Sequence, residues 1–145
     1  MRAVFIDTNV FLYALGRPHP YRDPCRDLID DLRQGRLAGE TSVEVIQEFV
    51  HVRRAREEDA IARGRELMAF CAMVHDLEAR DLARAMDILD DHPALPTRDA
   101  IHAATAINRD LNAILTADRH FDAVHGLERI DPLDSEAVDA LKTRA

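Results

Sequence analysis

Apolar positions in this chain follow two alternating patterns, short continuous runs and helical stripes. Residues 3–6, AVFI, are an unbroken apolar run of strand length that ends in Asp-Thr-Asn, and the helix-compatible NVFLYAL follows. A fully buried strand feeding a helix fits this best. One glycine and three prolines make residues 16–24, GRPHPYRDP, a loop. Further along, the pattern predicts a helix over 25–34, a weak strand in LAGET, and helices over 42–56 and 58–71. A weak strand near 73–76 and a helix over 79–91 come next. Pro93 and Pro96 interrupt the chain before a helix over 98–110, after which AILT and LERID supply two more strands.

Strands that alternate with helices predict an α/β fold, a central parallel sheet of about five strands covered by helices on both faces. In such sheets ligands bind outside the carboxyl ends of the strands. Residues 1–145 are expected to form one domain, long enough to bury a core without disulfide staples. Cys25 and Cys71 lack metal or redox spacing and read as reduced, partly buried thiols. The first residues carry no leader-like pattern and no apolar run reaches spanning length, so a soluble, cytoplasmic protein without a membrane role is expected.

The formal charge of -8 argues against long-lived, sequence-independent duplex binding through counterion release. It says little about an enzyme whose metal inverts the local charge. All but one of the 19 basic residues are arginine, which reads as genome composition. Arg53, Arg54 and Arg56, followed by Arg63 and Arg65, form a local basic run: a solvated helix face, or a contact for phosphate or a partner.

Four acids stand where a strand ends or a helix begins. They are Asp7 in VFIDTNVFL, Glu48 in SVEVIQEFV, Asp99 in PTRDAIHAATA and Asp118 in ILTADRHFD. On the 42–56 helix, Val43, Val45, Ile46, Phe49, Val50 and Val52 cover about half the circumference, and Glu48 falls at the border of that arc. Glu44 is assigned to structure instead, because Thr41-Ser-Val-Glu44 has the form of a capping box. Asp99 borders the small-residue side of its helix in the first turn, where Thr97 is the expected N-cap and the helix dipole helps keep the acid ionised. Taken singly, Asp7 and Asp118 could cap the helices that follow them, and Glu48 and Asp99 could pair with arginines. Taken together, all four are sent by the predicted fold to one sheet edge. Two carboxylates about 5 Å apart repel by roughly 3 kcal/mol at an effective dielectric of about 20, so a divalent cation is their natural companion. Magnesium suits hard oxygen ligands of this kind, and manganese can substitute.

These four segments, in their order and spacing, resemble the PIN-domain ribonucleases, and more narrowly the VapC-type toxins of type II bacterial toxin-antitoxin pairs. The resemblance covers nearly the whole chain. It implies a three-layer α/β/α PIN-like domain and metal-dependent endoribonuclease activity on single-stranded or loop RNA. Asp7, Glu48, Asp99 and Asp118 would hold Mg2+, with Asp122 a more variable fifth acid. Asn9 and Thr116 would orient Asp7 and Asp118 through hydrogen bonds. The resemblance further implies a homodimer and a small cognate antitoxin, whose folding segment would cover Phe11, Leu12, Leu28, Ile29 and Leu32. Phe11 and Tyr13 could stack on bases, though packing between helices accounts for both.

Other readings fit less well. Glu48-x-x-His51 and Asp99-x-x-His102 have the carboxylate-x-x-His form of di-iron bundles, but each histidine is rotated by about 60° from its acid and the bundle order is missing. A haloacid-dehalogenase-type phosphatase wants a second aspartate where this chain has Asn9. A non-catalytic PIN-fold interaction module is the alternative from another class, and four intact acids argue against it.

Overall fold

The computed structural model describes residues 2–56 and 59–142. Five strands, β1 (Val4–Ile6), β2 (Gly39–Ser42), β3 (Met73–His75), β4 (Ala113–Leu115) and β5 (Glu128–Ile130), form one sheet in the order β3-β2-β1-β4-β5. Every neighbouring pair is parallel, with Val4 opposite Gly39 and Phe5 opposite Ile114. Seven helices connect and cover it: α1 (Thr8–Ala14), α2 (Arg22–Arg33), α3 (Val43–Arg54), α4 (Ala60–Phe70), α5 (Ala79–Asp91), α6 (Thr97–Asn108) and α7 (Ser135–Leu141). A short 3-10 helix, Arg119–Ala123, follows β4.

The strand order fixes where a site can form. From β1 the chain steps outward to β2 and β3, then returns to lay β4 on the other side of β1. Right-handed crossovers place the helices of these two excursions on opposite faces, giving the three-layer α/β/α architecture. The gap between β1 and β4 is the point where the winding reverses, and loops leaving it diverge to leave a crevice. Both strands are buried along their whole length, as their unbroken apolar runs require.

Packing explains several small residues. A Cβ on Gly39 would come within 2.4 Å of both Ile6 Cδ1 and Leu32 Cδ2, so α2 can lie against β2 only over a glycine. A Cβ on Gly64 would meet Val50 Cγ2 at 2.7 Å, which lets α4 rest close on α3. Cys25 and Cys71 are free thiols in the core, and burial pushes each up to about 12.

Four local expectations need correction. Helix α2 begins at Arg22, before Pro24, because the first turn has no intrahelical partner for its N–H groups and tolerates proline there. Helix α3 is capped by Ser42, whose Oγ accepts from Val45 N at 3.2 Å, while the Thr41 hydroxyl donates to the Ile6 carbonyl at 3.0 Å. The proposed Thr41 to Glu44 box therefore does not form. Helix α6 starts at Thr97 itself with Pro96 in the cap position, so no side chain caps it. Helix α7 was not foreseen; Asp134 caps it by accepting from Ala137 N, and Val138 and Leu141 bury its inner face. The predicted start of α4 at residue 58 lies outside the described residues.

Opposite the site, α5 and α6 are clamped by a buried charge. Asp81, fully buried, accepts from Asn108 Nδ2 and Glu78 N at 2.8 Å each and pairs with Arg109. Removing the guanidinium leaves a carboxylate without its counter-charge, so Arg109→Ala is expected to lower stability by about 2 to 3 kcal/mol. Urea unfolding measures it, and a loss under 0.5 kcal/mol would show that Asp81 is adequately solvated.

Candidate active site

The structure brings Asp7, Glu48, Asp99 and Asp118 together at the crevice between β1 and β4. Asp7 follows β1 directly and is buried. Its Oδ1 accepts from Thr8 N at 2.7 Å, so it does cap α1; its Oδ2 accepts from Thr116 Oγ1 at 2.7 Å and from Asn9 Nδ2 at 3.3 Å. Asn9 also donates to Thr116 Oγ1 at 2.9 Å, and Thr116 Oγ1 accepts from Asp118 N at 3.0 Å. Asn9 and Thr116 thus lock the ends of β1 and β4 into one hydrogen-bonded unit, fixing the Asp7 carboxylate and the Asp118 backbone. Asp118 caps the 3-10 helix by accepting from His120 N at 2.9 Å. Asp7 and Asp118 each cap the helix that follows and also face the acidic centre.

Glu48 reaches the centre from α3, half-buried. Its Oε2 accepts from Arg98 Nη1 at 3.0 Å and its Oε1 lies 3.3 Å from His102 Nε2. Glu44 sits one turn earlier, near the outer side of Arg98 at 3.7 Å. Asp122 is exposed and held at 2.7 Å by Arg129, turned to the 3-10 helix's outer side. Unlike Asp7, Glu48, Asp99 and Asp118, it belongs to neither cluster of candidate ligand atoms.

Ligand atoms gather in two groups, each with its members within 4.8 Å of one another: Asp7 with Glu48 and His102, and Asp99 with Asp118 and His120. Neither histidine was selected from the sequence. His102 is fully buried on α6, its ring 6.3 Å from that of Phe5. Its Nε2 faces Glu48 and stands 4.0 Å from Asp7 Oδ1. His102 is rotated away from Asp99 on its own helix, and its partner is Glu48 on α3. His120 Nδ1 is 3.1 Å from Asp118 and 3.8 Å from Asp99.

The protonation of the acids records their crowding. Burial first, and then the charges of Asp7, Asp118 and Glu48, push the Asp99 carboxyl up to about 7. Burial also raises Asp7, against the opposing pull of His102, Thr116 and Thr8. Burial works to raise Glu48 too, but the His102 ring, the adjacent Thr8 hydroxyl and the Arg98 guanidinium outweigh it and hold the carboxyl down at about 2. Burial disfavours charge on His102, yet Glu48, Asp7 and Asp99 together raise it. Among the described residues, Thr8 Oγ1 and His102 Nδ1 are buried at this wall without a hydrogen-bond partner of good geometry. A donor set of hard oxygens, strained by mutual repulsion and only partly relieved by protons and imidazoles, fits a divalent cation.

A parallel sheet wound as β3-β2-β1-β4-β5 with an acidic centre at its reversal point is a three-layer α/β/α domain with a candidate cation site. The PIN domain model matches residues 4–127, and the chain belongs to that family. More narrowly, it is similar to Ribonuclease VapC7 of Mycobacterium tuberculosis, 41% identical over 130 residues that cover 84% of this chain and 89% of that protein. It is also similar to Ribonuclease VapC23 of the same species, 35% identical over 122 residues, covering 79% and 92%. Among solved structures the fold matches Mycobacterium tuberculosis VapC20, a sarcin-ricin loop cleaving toxin, with a TM-score of 0.69 at 18% identity over 83% of this chain and 93% of that one. The fold likewise matches a chain of VapBC2 from Rickettsia felis bound to a DNA fragment from its promoter, with a TM-score of 0.68 at 15% identity over 89% and 98%.

The surface corrects two further expectations. Arg53 is not a free cation: its guanidinium donates to both Asp59 oxygens, at 2.9 and 3.2 Å, and to the Leu15 carbonyl at 2.8 Å. Phe11, Leu28, Ile29 and Leu32 are buried in the core with Leu12 packed against it, so they are committed to α1 and α2 packing and not displayed for a partner. Among the described residues, no helix is long and apolar enough to cross a membrane.

Proposed function

We infer that this protein is a divalent-cation-dependent endoribonuclease, the toxin of a type II toxin-antitoxin pair, hydrolysing phosphodiester bonds in single-stranded or loop RNA. The observation that carries this is the convergence of four carboxylates at the sheet's reversal point, crowded enough to push Asp99 up to about 7. The family and its VapC ribonuclease relatives support it.

Asp7, Glu48, Asp99 and Asp118 would hold the cation, Mg2+ by preference and Mn2+ as a substitute. A bound cation supplies Lewis-acid activation of water and neutralises charge developing on the scissile phosphate. The chain's own work is positional. Thr8 N, Asn9 and Thr116 fix Asp7 in one orientation, and His102 and Arg98 hold Glu48 by one oxygen each. Asp99, crowded by Asp7, Asp118 and Glu48, is a carboxylate whose ionised form a bound cation would stabilise. Flexible single-stranded backbone bends into such a crevice more readily than a duplex does.

The structural neighbours include VapBC complexes from Salmonella typhimurium and nontypeable Haemophilus influenzae. These complexes support an antitoxin partner for this chain, and pairing of two copies and action in the cytoplasm belong to the same proposal. The test is incubation of the purified protein with single-stranded RNA while Mg2+ is titrated. Cleavage that appears with the metal and vanishes with chelator is expected. Metal binding without cleavage would instead point to a non-catalytic interaction module.

A further inference from the structure

A groove of about 770 Å³ opens between the end of α1, the loop after it and the end of α3. Asn9 lines it, and the same side chain donates to Asp7, so the groove adjoins the acidic centre. Its walls are unlike the rest of this acidic chain. Arg17 and Arg56 stand exposed at its edge and Arg53 is buried beneath, with no acid lining it among the described residues. Tyr13 and His19 also line it, with ring centroids 4.6 Å apart and planes 24° from parallel. Tyr21 extends the stack, 5.1 Å from Tyr13.

This platform is fixed in advance. The Tyr21 hydroxyl donates to Asp131 at 2.8 Å, and Asp131 is itself held by Arg129 at 3.1 Å. Arg53 is locked to Asp59 and to the Leu15 carbonyl at the base of the loop. A rigid aromatic face needs little ordering on binding. Flat rings flanked by guanidinium groups match a nucleotide, since every base has a face to stack and every linkage a negative charge to pair.

We propose that this groove is a nucleotide subsite: a base of single-stranded RNA beside the scissile linkage stacks on His19 and Tyr13 while its phosphate meets Arg17 and Arg56. The inference rests on the ribonuclease reading and extends it to where the substrate lies. Stacking has little regard for base identity, so the subsite anchors the strand without selecting a sequence. It also reassigns the basic run of α3, since Arg56 contributes charge, Arg53 contributes rigidity and Arg54 lines a different surface beside His51.

The experiment measures binding of a fluorescent oligoadenylate, intact or with one abasic position, to the full chain carrying Asp99→Asn to prevent cleavage. His19→Ala should weaken the intact strand about tenfold, the scale of one lost stacking contact. The abasic strand should bind the His19 parent about tenfold more weakly but should bind His19→Ala no worse than the intact strand does, because both changes delete the same contact. Arg17→Ala with Arg56→Ala should flatten the salt dependence of log affinity by about 1 to 2. Equal affinities across these variants, or losses that simply add, overturn the subsite. So does a His19→Ala chain that keeps oligoadenylate but loses oligoglutamate, which would give the groove to an acidic protein partner. Cleavage of cellular RNA by the unsubstituted chain separates the two failures: if it persists, the ribonuclease reading stands and the subsite alone falls. If no divalent cation supports cleavage of any RNA, both fall.

Discussion

Asp99→Asn is expected to abolish cleavage and, in metal-free protein, to raise the melting temperature. Asparagine keeps the size of the side chain but removes an anionic oxygen from the centre. Several kcal/mol of lost transition-state stabilisation corresponds to roughly a thousandfold in rate. The stability effect has the opposite sign and a pH signature. The Asp99 carboxyl titrates at about 7 when folded, against 3.8 for an unperturbed aspartate. Between those values the folded protein keeps a proton that the unfolded chain has lost, so stability falls as pH rises from about 4 to about 7. Asparagine cannot ionise and escapes this loss. At pH 8 with chelator the variant should therefore exceed the parent by on the order of 2 kcal/mol, or about 5 °C, and the gap should close near pH 4. Added Mg2+ should restore the parent and leave the variant nearly unmoved, because only the parent binds it well. Thermal melts at the two pH values, with and without metal, decide the matter. A variant that cleaves at the parental rate, or gains no stability at pH 8, would remove Asp99 from the centre.

The acids of the centre were legible because backbone topology places them. A residue just after a buried strand, or in the first turn of a helix at the sheet's carboxyl edge, has its position set by alternation of β and α elements, and Asp7, Asp99 and Asp118 are of this kind. Glu48 was legible from its place at the border of an apolar arc. The groups that tune these acids were not, because their contacts cross between helices far apart in sequence. His102 and Glu48 are 54 positions apart and Arg98 and Glu48 are 50, and helical periodicity compares only neighbours on one helix. The same limit explains Arg53, whose anchors at Asp59 and Leu15 lie across a turn and on another element. Helix α7 was missed for a different reason: only Val138 and Leu141 turn inward, too few apolar positions to display a stripe.

His102→Leu is expected to weaken metal binding and cleavage together. The imidazole is fully buried, and its Nε2 meets Glu48 Oε1 while standing close to Asp7. Its contacts are to Glu48 and Asp7, so it is expected to act through Glu48 as a positioning residue. Without it Glu48 keeps the adjacent Thr8 hydroxyl and Arg98, a largely exposed arginine that is a looser anchor than a buried ring. Second-sphere partners of this kind are worth about 10- to 100-fold in metal affinity or activity. Leucine should pack acceptably beside Phe5, and it removes the unpartnered Nδ1, so a collapse of the fold is not expected. The concentration of Mg2+ giving half-maximal cleavage should rise by about tenfold or more, and His102→Gln, which keeps a donor, should recover part of the loss. Glu48→Gln made in the His102→Leu background should cost much less than it does in the parent, since the two residues act as one unit. A parental metal requirement in His102→Leu, or a loss matched by an equal drop in melting temperature, would reduce His102 to core packing.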